Sequence, residues 1–162
     1  MNPPLSRLSA ALGHTFRQPE LLEEALTHRS ASPHNNERLE FLGDALLNLI
    51  VAEYVFQHYP KASEGELSRL RSSLVKGETE LARGLRVGDW LRLGLGELKS
   101  GGFRRESILS DTLEAIFGAV YLDSGLDACR DLVLRLYRDC LTRLADASDL
   151  KDPKTRLQEC LQ

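Results

Sequence analysis

One segment limits what this chain can fold into more than any other. From Glu37 to about His58 the sequence runs without proline and is apolar over most of a helical circumference, the pattern of a buried central helix. At about 100° per residue, Glu37, Glu40 and Asp44 fall within an arc of about 60°. The opposite side carries Leu39, Leu42, Leu46, Leu49 and Ile50. The helix is thus anchored in a core while one stripe presents three acids, and Pro60 ends it.

The flanking sequence supplies more helices. Apolar residues at 5, 8, 11 and 12 predict a short first helix that stops near Gly13. Pro19 stands at a first-turn position, so a second helix runs from there to about Thr27, followed by a loop over 30–35. Ser63 and Glu66 have capping-box spacing and start a helix with Leu67, Leu70, Leu74 and Val75 on its inner side and Arg69, Arg71 and Lys76 on its flanks. A shorter helix spans about 79–85, and the glycines of 88–102 predict an irregular surface connection. Ile108–Leu122 reads as a nearly all-apolar helix ended by Ser124 and Gly125, and Leu126–Leu144 as the last long one. With leucine dominant, and only one Trp, four Tyr and five Phe, the fold class is all-α. Residues 1–145 form one domain and 146–162 a charged linker.

Composition excludes several classes. A chain of 162 residues that is 42% hydrophobic and 28% charged can bury a globular core. The longest apolar runs are too short to span a bilayer and no signal peptide opens the chain, so no membrane partner and a cytoplasmic location are expected. Cys129, Cys140 and Cys160 have no metal-ligand spacing and are expected as reduced thiols. The formal net charge of −3 does not by itself suggest a nucleic-acid partner, although basic residues concentrate over Lys99–Arg105.

The acids carry the chemistry. Like charges three and four apart on a helix repel by roughly 0.2–0.5 kcal/mol per pair, and more where water is excluded. Asp111 and Glu114 repeat the pattern on a second helix whose next turns are apolar all round. Crowded carboxylates need an offset, and an oxygen-coordinated divalent cation is one. The other is a solvated acidic face neutralised by Arg38, Arg104 or Arg105. If a metal is held, hard oxygen ligands favour magnesium or manganese over zinc, and those ions suit phosphoryl chemistry.

Asn36-Glu37-Arg38-Leu39-Glu40-Phe41-Leu42-Gly43-Asp44 closely resembles the signature of the ribonuclease III family. Thr27-His28-Arg29-Ser30 before it, Glu64-Gly65-Glu66-Leu67-Ser68-Arg69-Leu70-Arg71 after it, and the stretch from Gly96 to Asp111 extend the likeness to bacterial members over essentially the whole chain. The resemblance implies a dimeric, all-helical endonuclease domain that hydrolyses double-stranded RNA with Mg2+ (Mn2+ able to substitute), leaving 5′-phosphate and 3′-hydroxyl ends, in rRNA and mRNA processing and decay. It implies Glu40, Asp44, Asp111 and Glu114 as metal ligands, with Asp44, Glu114, Glu37 and Glu64 in the catalytic centre. Arg69, Lys99, Arg104 and Arg105 would contact RNA phosphates. Phe41 would insert into the partner subunit, and Gly43 would allow close backbone approach beside it. A homodimer and duplex RNA are the partners, with no nucleotide cofactor.

Two departures qualify the resemblance. The stretch from Val75 to Arg83 looks about one helical turn shorter than its counterparts, which keeps helix facing and bears on local packing and RNA contacts. Lys151 to Glu159 resembles the entry to a double-stranded RNA-binding domain that would follow; without that domain, RNA affinity is expected to be weaker and more salt-sensitive.

His28, Arg29 and Ser30 read as structural rather than as a base and nucleophile, since no third partner is evident. His14, His34 and His58 have no ligand spacing. A di-iron helical protein would need histidine at 43 or 117, where Gly43 and Phe117 stand. A non-catalytic scaffold for structured RNA is the stronger rival, but such a relative would be expected to lack one or more of the four ligands, all of which are present.

Overall fold

A computed structural model describes residues 4–146, and among them the fold is all-α. Helix α1 (Leu5–Leu12) ends as Gly13 turns left-handed at φ 61°, with the Gly13 and His14 amides donating back to the Ala10 and Ser9 carbonyls. Pro19 opens α2 (Pro19–Ala25), and α3 (Glu37–His58) runs the full length expected. Ser63 and Glu66 form the capping box of α4 (Glu64–Val75). Helix α5 (Glu78–Gly84) follows at once. The glycine-rich connection is less irregular than expected: it holds the short helix α6 (Leu95–Lys99) between two 3-10 turns, Val87–Asp89 and Gly102–Arg104.

Helix α7 (Glu106–Leu136) bends at Gly125, whose φ of 88° and ψ of 179° separate two helical halves where the sequence placed a break. The second half stops near Tyr137, earlier than expected, and a further helix, α8, occupies 138–146. The segment 147–162, which holds the expected linker and the entry to a following domain, lies outside the described residues.

The first half of α7 is buried nearly all round and is the axis of the fold. It packs along α3, and α2 and α5 close its other sides. Leu47, Ile50, Leu113, Ile116 and Phe117 are fully buried where α3 and α7 meet. Two glycines set how close they come. A Cβ on Gly43 would lie 1.7 Å from the Glu114 carbonyl oxygen, and one on Gly118 would lie 2.5 Å from that of Leu39.

Asn36 fixes the entry to α3. Its buried amide donates to the Ala25 carbonyl at 3.1 Å, and its backbone N–H to Thr27 at 2.9 Å. A parallel bridge between Thr27 and Arg92 ties the same corner to the connection before α6.

Leu49 departs from expectation. It is 53% exposed and joins Phe41 (80%) and Phe56 (71%) on an outer stripe of α3. Offsets of eight and fifteen hold these three within about 80°.

Candidate metal centre

Because Gly43 lets α3 touch α7, the acids of the two helices converge. Glu40, Asp111 and Glu114 each offer a carboxylate oxygen within 4.8 Å of the others. Asp44, one turn beyond Glu40, is more exposed, and its Oδ1 accepts from the Asn48 amide at 3.0 Å. Its charge still acts on Glu40, Glu78 and Glu114. Among the described residues none of these five carboxylates makes an ion pair.

The arginines that could have neutralised the cluster are engaged elsewhere or stand apart. Arg105 pairs with Glu97 at 3.0 Å, Arg104 lies over the Phe103 ring at 5.0 Å, and among the described residues Arg38 makes no ion pair. Arg29 pairs with Glu37 at 3.5 Å, and its charge partly offsets the crowding at Glu40.

The crowding changes the acids themselves. Burial first, then the charges of Asp111 and Glu37, push the Glu40 carboxyl up. Burial raises Asp111, with His28 opposing. Burial and the adjoining carboxyl of Glu78 push Glu114 up to about 9, and burial pushes Glu78 up to about 7. An acid is held protonated in this way when it is desolvated among like charges with no cation beside it. Converging hard oxygens without an ion-pair partner among the described residues fit a divalent cation.

A cleft of about 260 Å³ opens beside the cluster, lined in part by His28, Glu37, Glu40, Arg105 and Asp111. Glu37 stands at its rim. Glu64 is not gathered there: it is exposed in the first turn of α4, where its Oε1 accepts from the Ser68 hydroxyl at 2.9 Å. Arg69, Lys99, Arg104 and Arg105 are all exposed, and Arg69 lies with Lys76, Ser68 and Ser72 on one face of α4.

Two further residues singled out in the sequence take their places in the packing. Gly43 is buried against Glu114 of its own chain rather than at a surface beside Phe41, so its part is to bring the acids together. His28 Nδ1 does meet the Ser30 hydroxyl at 2.8 Å, but that hydroxyl also accepts from the Gly94 amide at 2.9 Å, which makes the pair a loop tie. Glu78 was not foreseen. An acid opening a short helix reads as an ordinary first-turn residue, and only the packing of α5 on α7 turns it inward.

A helical domain with converging acids on two closely crossing helices defines the class, and comparison with known proteins defines the family. Residues 18–140 match the model described as ribonuclease-III-like. Ribonuclease 3 from Nitrosococcus oceani is 61% identical over 166 residues, covering all of this chain and 71% of that protein. Ribonuclease 3 from Vibrio cholerae is 54% identical over 164 residues, again over all of this chain and 73% of that protein. Among solved structures, the nuclease domain of Campylobacter jejuni ribonuclease III superposes with a TM-score of 0.82 at 42% identity, covering 84% of this chain and 97% of that one. Dicer from Pichia stipitis matches with a TM-score of 0.63 at 27% identity, over 90% of this chain and 62% of its own. The chain belongs to the ribonuclease-III-like family.

Proposed function

We propose that this protein is a divalent-metal-dependent endoribonuclease that hydrolyses phosphodiester bonds of double-stranded RNA, acting in the cytoplasm in rRNA and mRNA processing and decay. The observation that carries the reading is the convergence of Glu40, Asp111 and Glu114, without an ion-pair partner among the described residues, beside an open cleft. Family membership supplies the reaction.

In this reading Glu40, Asp44, Asp111 and Glu114 hold Mg2+, with Mn2+ able to substitute. Once bound, the cation supplies a water of lowered pKa and charge stabilisation at the leaving oxygen. The chain's own part is positional. Helices α3 and α7, locked at Gly43, fix the carboxylates before substrate arrives. Glu37 at the rim and Glu64 on α4 are assigned supporting parts in the centre. Arg105, in the cleft wall, with Arg69, Lys99 and Arg104 contact phosphates, so the duplex is read by shape and backbone rather than by base edges.

A homodimer is supported by the apolar stripe of Phe41, Leu49 and Phe56, which would be costly to leave in water. The related Campylobacter domain is described with a region involved in dimer formation. Residues 1–145 are assigned to the catalytic domain and 146–162 to the lead into a double-stranded RNA-binding domain.

A gel assay of duplex RNA, single-stranded RNA and duplex DNA, with and without Mg2+, tests this. Cleavage of duplex RNA alone, abolished by chelator and by Glu114→Gln while RNA binding persists, is expected. Equal cleavage by the variant or in excess chelator would overturn the metal mechanism.

A further inference from the structure

Behind the three converging carboxylates lies an acid outside the expected ligand set. Glu78 begins α5 and is only 6% exposed. Among the described residues it makes no ion pair, and its hydrogen-bond partner is another acid, Glu114. The charges of Asp44 and Asp111 reach it as well.

A second group on that side is also unsatisfied. Tyr137 is 1% exposed and its hydroxyl has no hydrogen-bond partner among the described residues. Its ring flanks the turn into α5, with Cε1 3.9 Å from where a Cβ on Gly77 would stand, and it feels the charges of both Glu78 and Glu114. The interior wall of the cluster therefore holds one buried carboxylate, the half-buried one of Glu114 and an orphaned hydroxyl, with no Lys or Arg paired to either acid among the described residues. Buried polar groups are ordinarily satisfied, by an ordered water or an ion where the protein supplies no partner.

We infer that Glu78 is a fifth carboxylate of the divalent-cation site, backing Glu114 from the protein interior, orienting its carboxylate and adding charge to the cation's surroundings. This rests on the metal reading given under the proposed function. Outer-shell carboxylates orient the ligands in front of them, and their removal typically weakens metal binding about 10- to 100-fold.

The test is calorimetric titration of Mn2+ into the intact chain and its Glu78→Gln and Glu78→Asp variants, with circular dichroism confirming that each is folded. Affinity is expected to fall in the order wild type, Asp, Gln, with Gln weaker than wild type by about 10- to 100-fold. A Glu78 that merely packs would change the melting temperature without Mn2+ and leave affinity untouched. Equal affinity in every folded variant would overturn the inference, and the milder Asp variant decides if the Gln variant does not fold. Failure of the wild-type chain to bind Mn2+ would overturn the metal reading itself.

Discussion

Helix α7 carries inward-facing acids at two places, half-buried at one and buried at the other, and they are treated in opposite ways. Toward its start, Asp111 and Glu114 face other carboxylates and are pushed toward the protonated form. Near the bend, Asp123 is more fully buried, yet donors surround it. The Gln18 amide reaches its Oδ1 at 2.8 Å, and the Ser124 hydroxyl and His14 Nε2 reach Oδ2 at 2.8 and 2.9 Å. Burial opposes ionisation there too, but those hydrogen bonds outweigh it and hold the carboxyl below its ordinary range. Asp123 is satisfied by the fold and ties α7 to the corner before α2. The Asp111–Glu114 end has no ion-pair partner among the described residues, which is what the proposed cation site calls for. A protein sacrifices stability in this way where a site must receive a charged ligand.

The largest expected effect is on pH dependence without metal. Glu78 and Glu114, raised to about 7 and about 9 from an ordinary 4.5, leave the folded protein holding more protons than the unfolded chain. The stability they contribute is complete below about pH 4.5 and is lost as pH rises through those folded values. Asp123 has the opposite sign: its contribution is present above the ordinary 3.8 and is lost as pH falls through its lowered value. Urea unfolding in chelator should therefore show stability declining between pH 5 and 9. A flat or rising profile would break the contrast.

Next in size is Gly43→Ala. The added Cβ would press on the Glu114 carbonyl at the α3–α7 crossing, and because backbone lies on both sides, the cost should exceed the usual overpacking range of about 1–3 kcal/mol. Denaturant midpoints measure it, and a wild-type midpoint would show that the helices separate easily.

Asp123→Asn sharpens the comparison from the other end. Loss of the charged acceptor at a buried junction should destabilise by about 1–3 kcal/mol, with no change in Mn2+ affinity. A variant as stable as wild type would mean that the Asp123 network is incidental.

What the sequence disclosed about these two regions depended on how local each signal was. The bounds of α3, the capping box at Ser63 and the break at Gly125 came from short-range residues whose conformational preferences decide the matter. The acids were visible as spacing on two helices, and their convergence required only that the apolar faces meet. Partners across the fold were less legible. Gly43 lies beside Phe41 in sequence, but it is Glu114 that needs its missing side chain. Leu49 sits at the edge of the apolar arc, where periodicity alone does not say whether core or solvent covers it. Helix α6 was obscured by the glycines around it, and Glu78 by the shortness of α5.

The most direct test of the central claim, that the acid cluster is built to be completed by a divalent cation, is the melting temperature of wild type and Glu114→Gln at pH 8 across a Mg2+ titration. In chelator the variant should melt above wild type, because folding no longer has to hold residue 114 protonated at a pH far above the ordinary 4.5; with Mg2+ wild type should rise markedly and the variant little. Parallel curves for the two proteins, or a wild type indifferent to Mg2+, would contradict the account.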